Sequence, residues 1–157
     1  MPLTLFDAAD PQLDWYVVND GVMGGRSAGG FTLEAGTLVF SGVTNTNGGG
    51  FSSIRTQPAK LGLSDQRHIV LYSQGDGRRY VCRLEDDRGT AYWADFQPPT
   101  GTWGEVDIDM ASFRPRFRGR WLDGPALEPT RITMLGLMCY DGQDGPFKLQ
   151  VKRIDAV

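Results

Sequence analysis

Histidine occurs once in this chain and cysteine twice, among 157 residues. That scarcity excludes an ordinary zinc site, which needs several Cys or His ligands at short spacing. It leaves His68 as the sole imidazole for a nucleophile–base arrangement, and His68 opens a strand-like run beside Ile69, where a structural or edge role fits better than catalysis. Cys82 and Cys139 both lie in hydrophobic runs and read as buried free thiols. A disulfide between them is the open alternative, which nothing in the spacing demands. No apolar run approaches the roughly 20 residues of a membrane helix. The opening Met1-Pro2-Leu3-Thr4-Leu5-Phe6-Asp7 has no basic region followed by an apolar core, so no export signal is visible. The expectation is a soluble, cytoplasmic protein without a membrane span.

A basic excess is missing too. Net charge is −3, with arginines scattered among acids, so no footprint for nucleic acid stands out. Arg114, Arg116, Arg118 and Arg120 form the one local exception. They read as the solvated side of an extended loop, with a phosphate or acidic partner as the competing reading.

What the chain has in quantity is glycine, 21 residues of it, together with 11% aromatics. That profile suits a β-rich protein with many turns, and the length suits one domain over residues 1–157 with a full core of its own. Leu3 to Phe6 and Trp15 to Val18 read as strands. Phe31 to Glu34 and Leu38 to Ser41 alternate across Ala35-Gly36-Thr37 as a hairpin. Phe51 to Arg55 and His68 to Ser73 follow. In the strand from Arg78 to Leu84, Tyr80, Cys82 and Leu84 face one way and Arg79, Val81 and Arg83 the other. Ala91 to Phe96 and Trp103 to Met110 continue the series, and residues 111–130 lack a period and read as a long loop. Ile132 to Cys139 is apolar on both faces, as a central strand covered on both sides would be. Phe147 to Lys152 closes the chain. Short strands at regular spacing predict an all-β, two-sheet antiparallel sandwich with no long helix.

Two glycine-dense loops dominate the first third: Asn19-Asp20-Gly21-Val22-Met23-Gly24-Gly25-Arg26-Ser27 and Asn47-Gly48-Gly49-Gly50-Phe51-Ser52. Glycine serves where the backbone takes positive φ or comes very near something else. Neither loop has the spacing of a nucleotide-binding motif, nor a helix after it, so no cofactor is expected. The candidate ligand or partner surface is the polar set beside these glycines: Asn19, Asp20, Arg26, Asn47, Ser53 and Arg55, with Asp76 and Arg78 on a neighbouring hairpin. Trp93, Trp103 and Trp121 are candidate stacking platforms. The competing reading makes Asp20 or Asp76 the buried ion-pair partner of Arg26 or Arg55, locking the loops together. Glu85-Asp86-Asp87 in a turn, and Asp107 and Asp109 on a strand, read as solvated carboxylates. Asp141-Gly142-Gln143-Asp144-Gly145 has the oxygens of a calcium loop without its terminal Glu, and reads as a plain turn.

The order of motifs resembles the complex I intermediate-associated protein 30 family. The resemblance runs from Trp15 and the first glycine loop through Phe40-Ser41-Gly42, Asn47 to Arg55, Gly75-Asp76-Gly77-Arg78-Arg79-Tyr80 and Trp103. It continues through Ile132 to Gly136, Asp141 to Leu149, and Ile154. It implies a galactose-binding-like jelly roll, a fold shared with many carbohydrate-binding modules. No Ser-His-Asp or Cys-His set can be assembled from these residues, so no enzymatic activity is expected. Mitochondrial members are assembly chaperones for the membrane arm of respiratory complex I, acting by protein–protein contact. Without a targeting extension before the domain, a free-standing prokaryotic-type member is the expectation here. The implied partner is a protein, such as a respiratory-complex assembly intermediate, or alternatively a glycan.

Overall fold

The computed structural model describes residues 3–19, 28–46, 50–117 and 120–157. Among the described residues thirteen strands succeed one another: β1 (Leu3–Asp7), β2 (Trp15–Asn19), β3 (Ala28–Glu34), β4 (Thr37–Thr44), β5 (Ser52–Thr56), β6 (His68–Gln74), β7 (Tyr80–Asp86), β8 (Ala91–Phe96), β9 (Gly104–Asp109), β10 (Arg114–Phe117), β11 (Arg120–Trp121), β12 (Ile132–Cys139) and β13 (Gly145–Ala156). They form two antiparallel sheets. The back sheet runs β3-β4-β13-β6-β9 with β1 also on β13, and the front sheet runs β11-β10-β8-β7-β12-β5-β2. This is a jelly-roll sandwich, and the described residues hold no α-helix, only two short 3-10 turns at Met110–Ser112 and Pro129–Arg131.

Period-two alternation sends one side of each strand into the core. On β7 that side is Tyr80, Cys82 and Leu84, and on β12 it is Leu135, Leu137 and Cys139. On β13, Phe147, Leu149 and Val151 point inward, and then Ile154 and Ala156 do so. The change from odd to even positions falls at the register irregularity between Val151 and Arg153 on the β6 side. One extra residue there keeps both halves of the strand apolar inward. β13 can therefore pair with β4 in its first half and with β1 beyond, which carries it past Lys152.

The β3–β4 hairpin turns through Ala35 and Gly36, both at positive φ, the geometry of a two-residue primed turn. Gly42 sits opposite Gly29 in this hairpin, and a Cβ on Gly42 would collide with the Ala28 backbone. The stretch expected to be one long loop differs from that expectation. Residues 114–116 pair with β8, and Arg116 and Phe117 pair with Trp121 and Arg120. Arginine–tryptophan contacts hold this hairpin, so it carries no apolar alternation to betray it. Glu85 and Asp86 also lie within β7 rather than in a turn. Both cysteines are free and buried, and burial pushes each thiol up to about 12.

Candidate functional site

Because alternate residues of the front sheet enter the core, the others project from its outer face. Strand register places six of them in one lateral row: Tyr16, Arg55, Gly136, Arg83, Trp93 and Arg114. Gly136 separates the two arginines. A Cβ there would meet the Arg83 Cβ at 3.1 Å and the Arg55 Cγ at 3.5 Å, so the bare position lets both stems lie against β12. The middle of the face is shielded, with Val81 3%, Met138 1% and Arg83 8% exposed, whereas Trp121 at 45% and Tyr140 at 36% are open.

The polar groups here are only partly satisfied. Arg83 donates through Nη2 to Glu85 Oε1 at 2.7 Å, while its buried Nη1 has no partner. Arg55 Nε is likewise buried and unpartnered, and no carboxylate among the described residues pairs with Arg55. Burial and the neighbouring positive charge of Arg83 lower the Arg55 guanidinium to about 10. Trp93 Nε1 and Arg116 Nε complete a group of four orphaned donors on one face. Buried donors are rarely left this way, because each forfeits its hydration without return.

Beside the arginine pair lies an aromatic flank. The Arg116 guanidinium carbon is 4.6 Å from the Trp93 ring centre and 4.5 Å from that of Trp121, and Arg114 stands 4.6 Å over Trp121. Tyr140 meets Trp93 edge-on at 5.8 Å. Arg114 and Arg116 thus make cation–π contacts from strand β10, and Arg120 lies exposed on β11.

The residues singled out from sequence fall in three places. Asp20, Arg26 and Asn47 lie outside the described residues, as do the cores of both glycine loops and Arg118. Asn19 donates to the Gly29 carbonyl and accepts from Ser52 Oγ, and Ser53 Oγ donates to the Val18 carbonyl. Asp76 accepts from the Arg78 and Lys148 backbone N–H groups and from the Tyr80 hydroxyl. Arg78 pairs with Asp141 and also donates to Thr44 Oγ1 and the carbonyls of Gln143, Gly145 and Pro146. Asp76 and Arg78 are thereby engaged within the chain, whereas Arg55 joins the orphaned group together with Trp93 and Arg116. The carboxylates of the 141–145 loop are spent on Arg78 and on the backbone N–H groups of Gln143 and Thr46. Among the described residues no three His, Cys, Asp or Glu side chains could hold a metal together. His68 sits on the back sheet, its Nδ1 2.7 Å from Asp107 Oδ1. Trp103 is also at the back, tilted against Tyr72 at 5.5 Å and capped by Lys152.

Sequence reasoning passed over Arg83, Gly136 and Tyr140 as members of a site, and gave Arg116 only as part of a run with an acidic partner as its competing reading. The outward position of Arg83 on β7 was readable, but its register against Arg55 was not.

The sandwich defines an all-β domain of the two-sheet jelly-roll class. Solved structures agree on the fold. The family 11 carbohydrate-binding module of the cellulosomal cellulase Lic26A-Cel5E of Clostridium thermocellum is 16% identical with a TM-score of 0.68, covering 100% of this chain and 94% of that one. The same organism's family 11 module in complex with a β-1,3-1,4-mixed-linked tetrasaccharide is 15% identical at TM-score 0.64, covering 99% and 95%. A variant of the family 29 module CBM29-2 complexed with cellulohexaose is 10% identical at TM-score 0.61, covering 99% and 89%. Among curated proteins none matches the chain significantly. The family model described as Complex I intermediate-associated protein 30 (CIA30) matches residues 4–151, and the chain belongs to that family.

Proposed function

We propose that this chain is a non-catalytic recognition module that binds a glycan through the outer face of its front sheet. The carrying observation is the in-register row from Tyr16 to Arg114, where unsatisfied guanidinium donors stand next to exposed aromatic rings. Sugars present flat C–H faces for stacking and ring hydroxyls as hydrogen-bond acceptors, and this face offers complements to both. The carbohydrate-binding descriptions of similarly folded modules support the same reading. Titration calorimetry and affinity electrophoresis against soluble β-glucans, mannans and acidic polysaccharides test it. At least one polymer should bind saturably, and Trp121→Ala should weaken that binding at least tenfold while the sandwich keeps a cooperative melt. Absence of saturable binding to every polymer would overturn it.

A second reading, contact with a protein in an assembly role, is favoured by the family match. In that case the same face should capture a protein on crosslinking in the native host, and Trp121→Ala should abolish the capture while no polymer binds.

A further inference from the structure

We propose that the ligand of this face is an acidic polysaccharide, one built with uronic acid residues, whose carboxylate is bound between Arg55 and Arg83 over Gly136. The inference rests on the glycan reading above and gives it a substrate class. Three features carry it. First, register sets two arginines on the residues paired with one glycine, so their stems lean over β12 from the two strands that flank it. Like charges so placed repel unless an anion lies between them. Second, the internal supply of anions is incomplete. Glu85 engages one nitrogen of Arg83, and Arg55 has no carboxylate partner among the described residues.

Third, orphaned donors occur on both arginines, at Arg55 Nε and Arg83 Nη1, and because both are buried a carboxylate reaches them only as the two side chains turn outward. Planar guanidinium groups match the two oxygens of a carboxylate, and such charge-assisted bonds are about twice as strong as neutral ones. Burial and the Arg83 charge lower the Arg55 ionisation against the weaker opposing pull of Tyr16 and Glu85, which agrees with a cation only partly compensated. A neutral glucan or mannan offers no such charge. The aromatic flank of Trp93, Trp121 and Tyr140 then takes neighbouring sugar rings, which a polyacidic peptide would not supply. Because the whole chain carries −3, bulk electrostatics oppose a polyanion, and tight binding would have to come from this local row.

The test is calorimetric titration of the whole chain with oligogalacturonate and oligoguluronate, their methyl esters, a neutral β-glucan, dextran sulfate and poly-glutamate. The expected result is saturable binding of a uronate oligomer at least tenfold tighter than its methyl ester. Arg55→Gln should remove that preference while the melting temperature stays within 2 °C or so of the parent, on the roughly 2–4 °C per kcal/mol of a domain this size. Arg55→Lys should retain part of it. Equal affinity for acid and ester, or binding of the neutral glucan alone, would overturn the acidic assignment and leave the glycan reading standing. Binding of dextran sulfate without uronate would overturn the carboxylate. Binding of poly-glutamate alone, or of no probe, would overturn both.

Discussion

The Arg78 guanidinium meets the Asp141 carboxylate side-on, Nε to Oδ2 at 2.9 Å and Nη2 to Oδ1, where the chain crosses from the back sheet to the front. Both side chains are close to fully buried, 11% and 3% exposed. The remaining guanidinium hydrogens reach Thr44 at the end of β4 and the carbonyls that lead into β13. One side chain therefore ties the β6–β7 crossover to two back-sheet strands. Removing one member of such a pair strands a buried charge. Arg78→Ala is expected to cost about 3–5 kcal/mol, read as a shift in denaturant midpoint. The double variant Arg78→Leu with Asp141→Leu should cost less than the two single variants summed. Strict additivity would show that the pair is not coupled.

Acid stability should follow from the same contact. Burial alone would raise the Asp141 carboxyl, but the hydrogen bonds from Arg78 and from the Gln143 N–H outweigh it and hold the group below the usual range. At Asp86 the pull is likewise downward, against burial, through the Thr90 and Arg88 N–H groups and the Arg88 guanidinium. A depressed folded pKa contributes stability above the unfolded value, about 3.9 for Asp, and loses it as pH falls through the folded value. The melting temperature should accordingly fall steeply below about pH 4. In Asp141→Asn the fall should be shallower, starting from a lower plateau. Parallel curves for parent and variant would refute the assignment.

A buried hydroxyl substitutes for a missing ladder bond. Thr56 Oγ1 accepts from the Leu135 N–H at 2.9 Å in the core, while the chain beyond it turns so that Gln57 N–H reaches the Asp14 carbonyl. Thr56→Val keeps the shape and deletes the acceptor. It should destabilise by about 1–3 kcal/mol, the penalty of an unsatisfied buried N–H. Thr56→Ser should recover most of that in chemical denaturation, and a neutral Thr56→Val would show that the N–H finds another partner.

How far the sequence could be read depended on whether the physics was local. Tyr80, Cys82 and Leu84 announce the inward side of β7 by alternation alone, and the double-sided apolar run of β12 announces a central strand. The far end of β13 was missed because one irregular residue at 152 breaks the period, although it preserves the inward face. β10 was missed because Pro115 and alternating arginines imitate a loop. Its order comes from Trp121 on the next strand and from Trp93, which is distant in sequence. The candidate face divides in the same way. Arg55 was found through its glycine run, but Arg83 and Gly136 join it only through pairing across three strands.

Arg55 gives the sharpest contrast with Arg78. Both are partly or largely buried guanidinium groups, yet Arg78 has a carboxylate and four further acceptors, and Arg55 has an unpartnered Nε beside the like charge of Arg83. A cation in that setting adds little to the fold, since desolvation and repulsion offset what its stem gains by packing. Arg55→Met retains an apolar side chain of useful length and removes the charge. It should leave stability unchanged or raise it by up to about 1 kcal/mol, whereas ligand affinity should drop. Thermal melts and titrations on the same preparations check both halves. A loss of more than about 1 kcal/mol, the scale of a satisfied hydrogen bond, would mean that Arg55 holds the sandwich together and that its unpaired donor is not kept for a ligand.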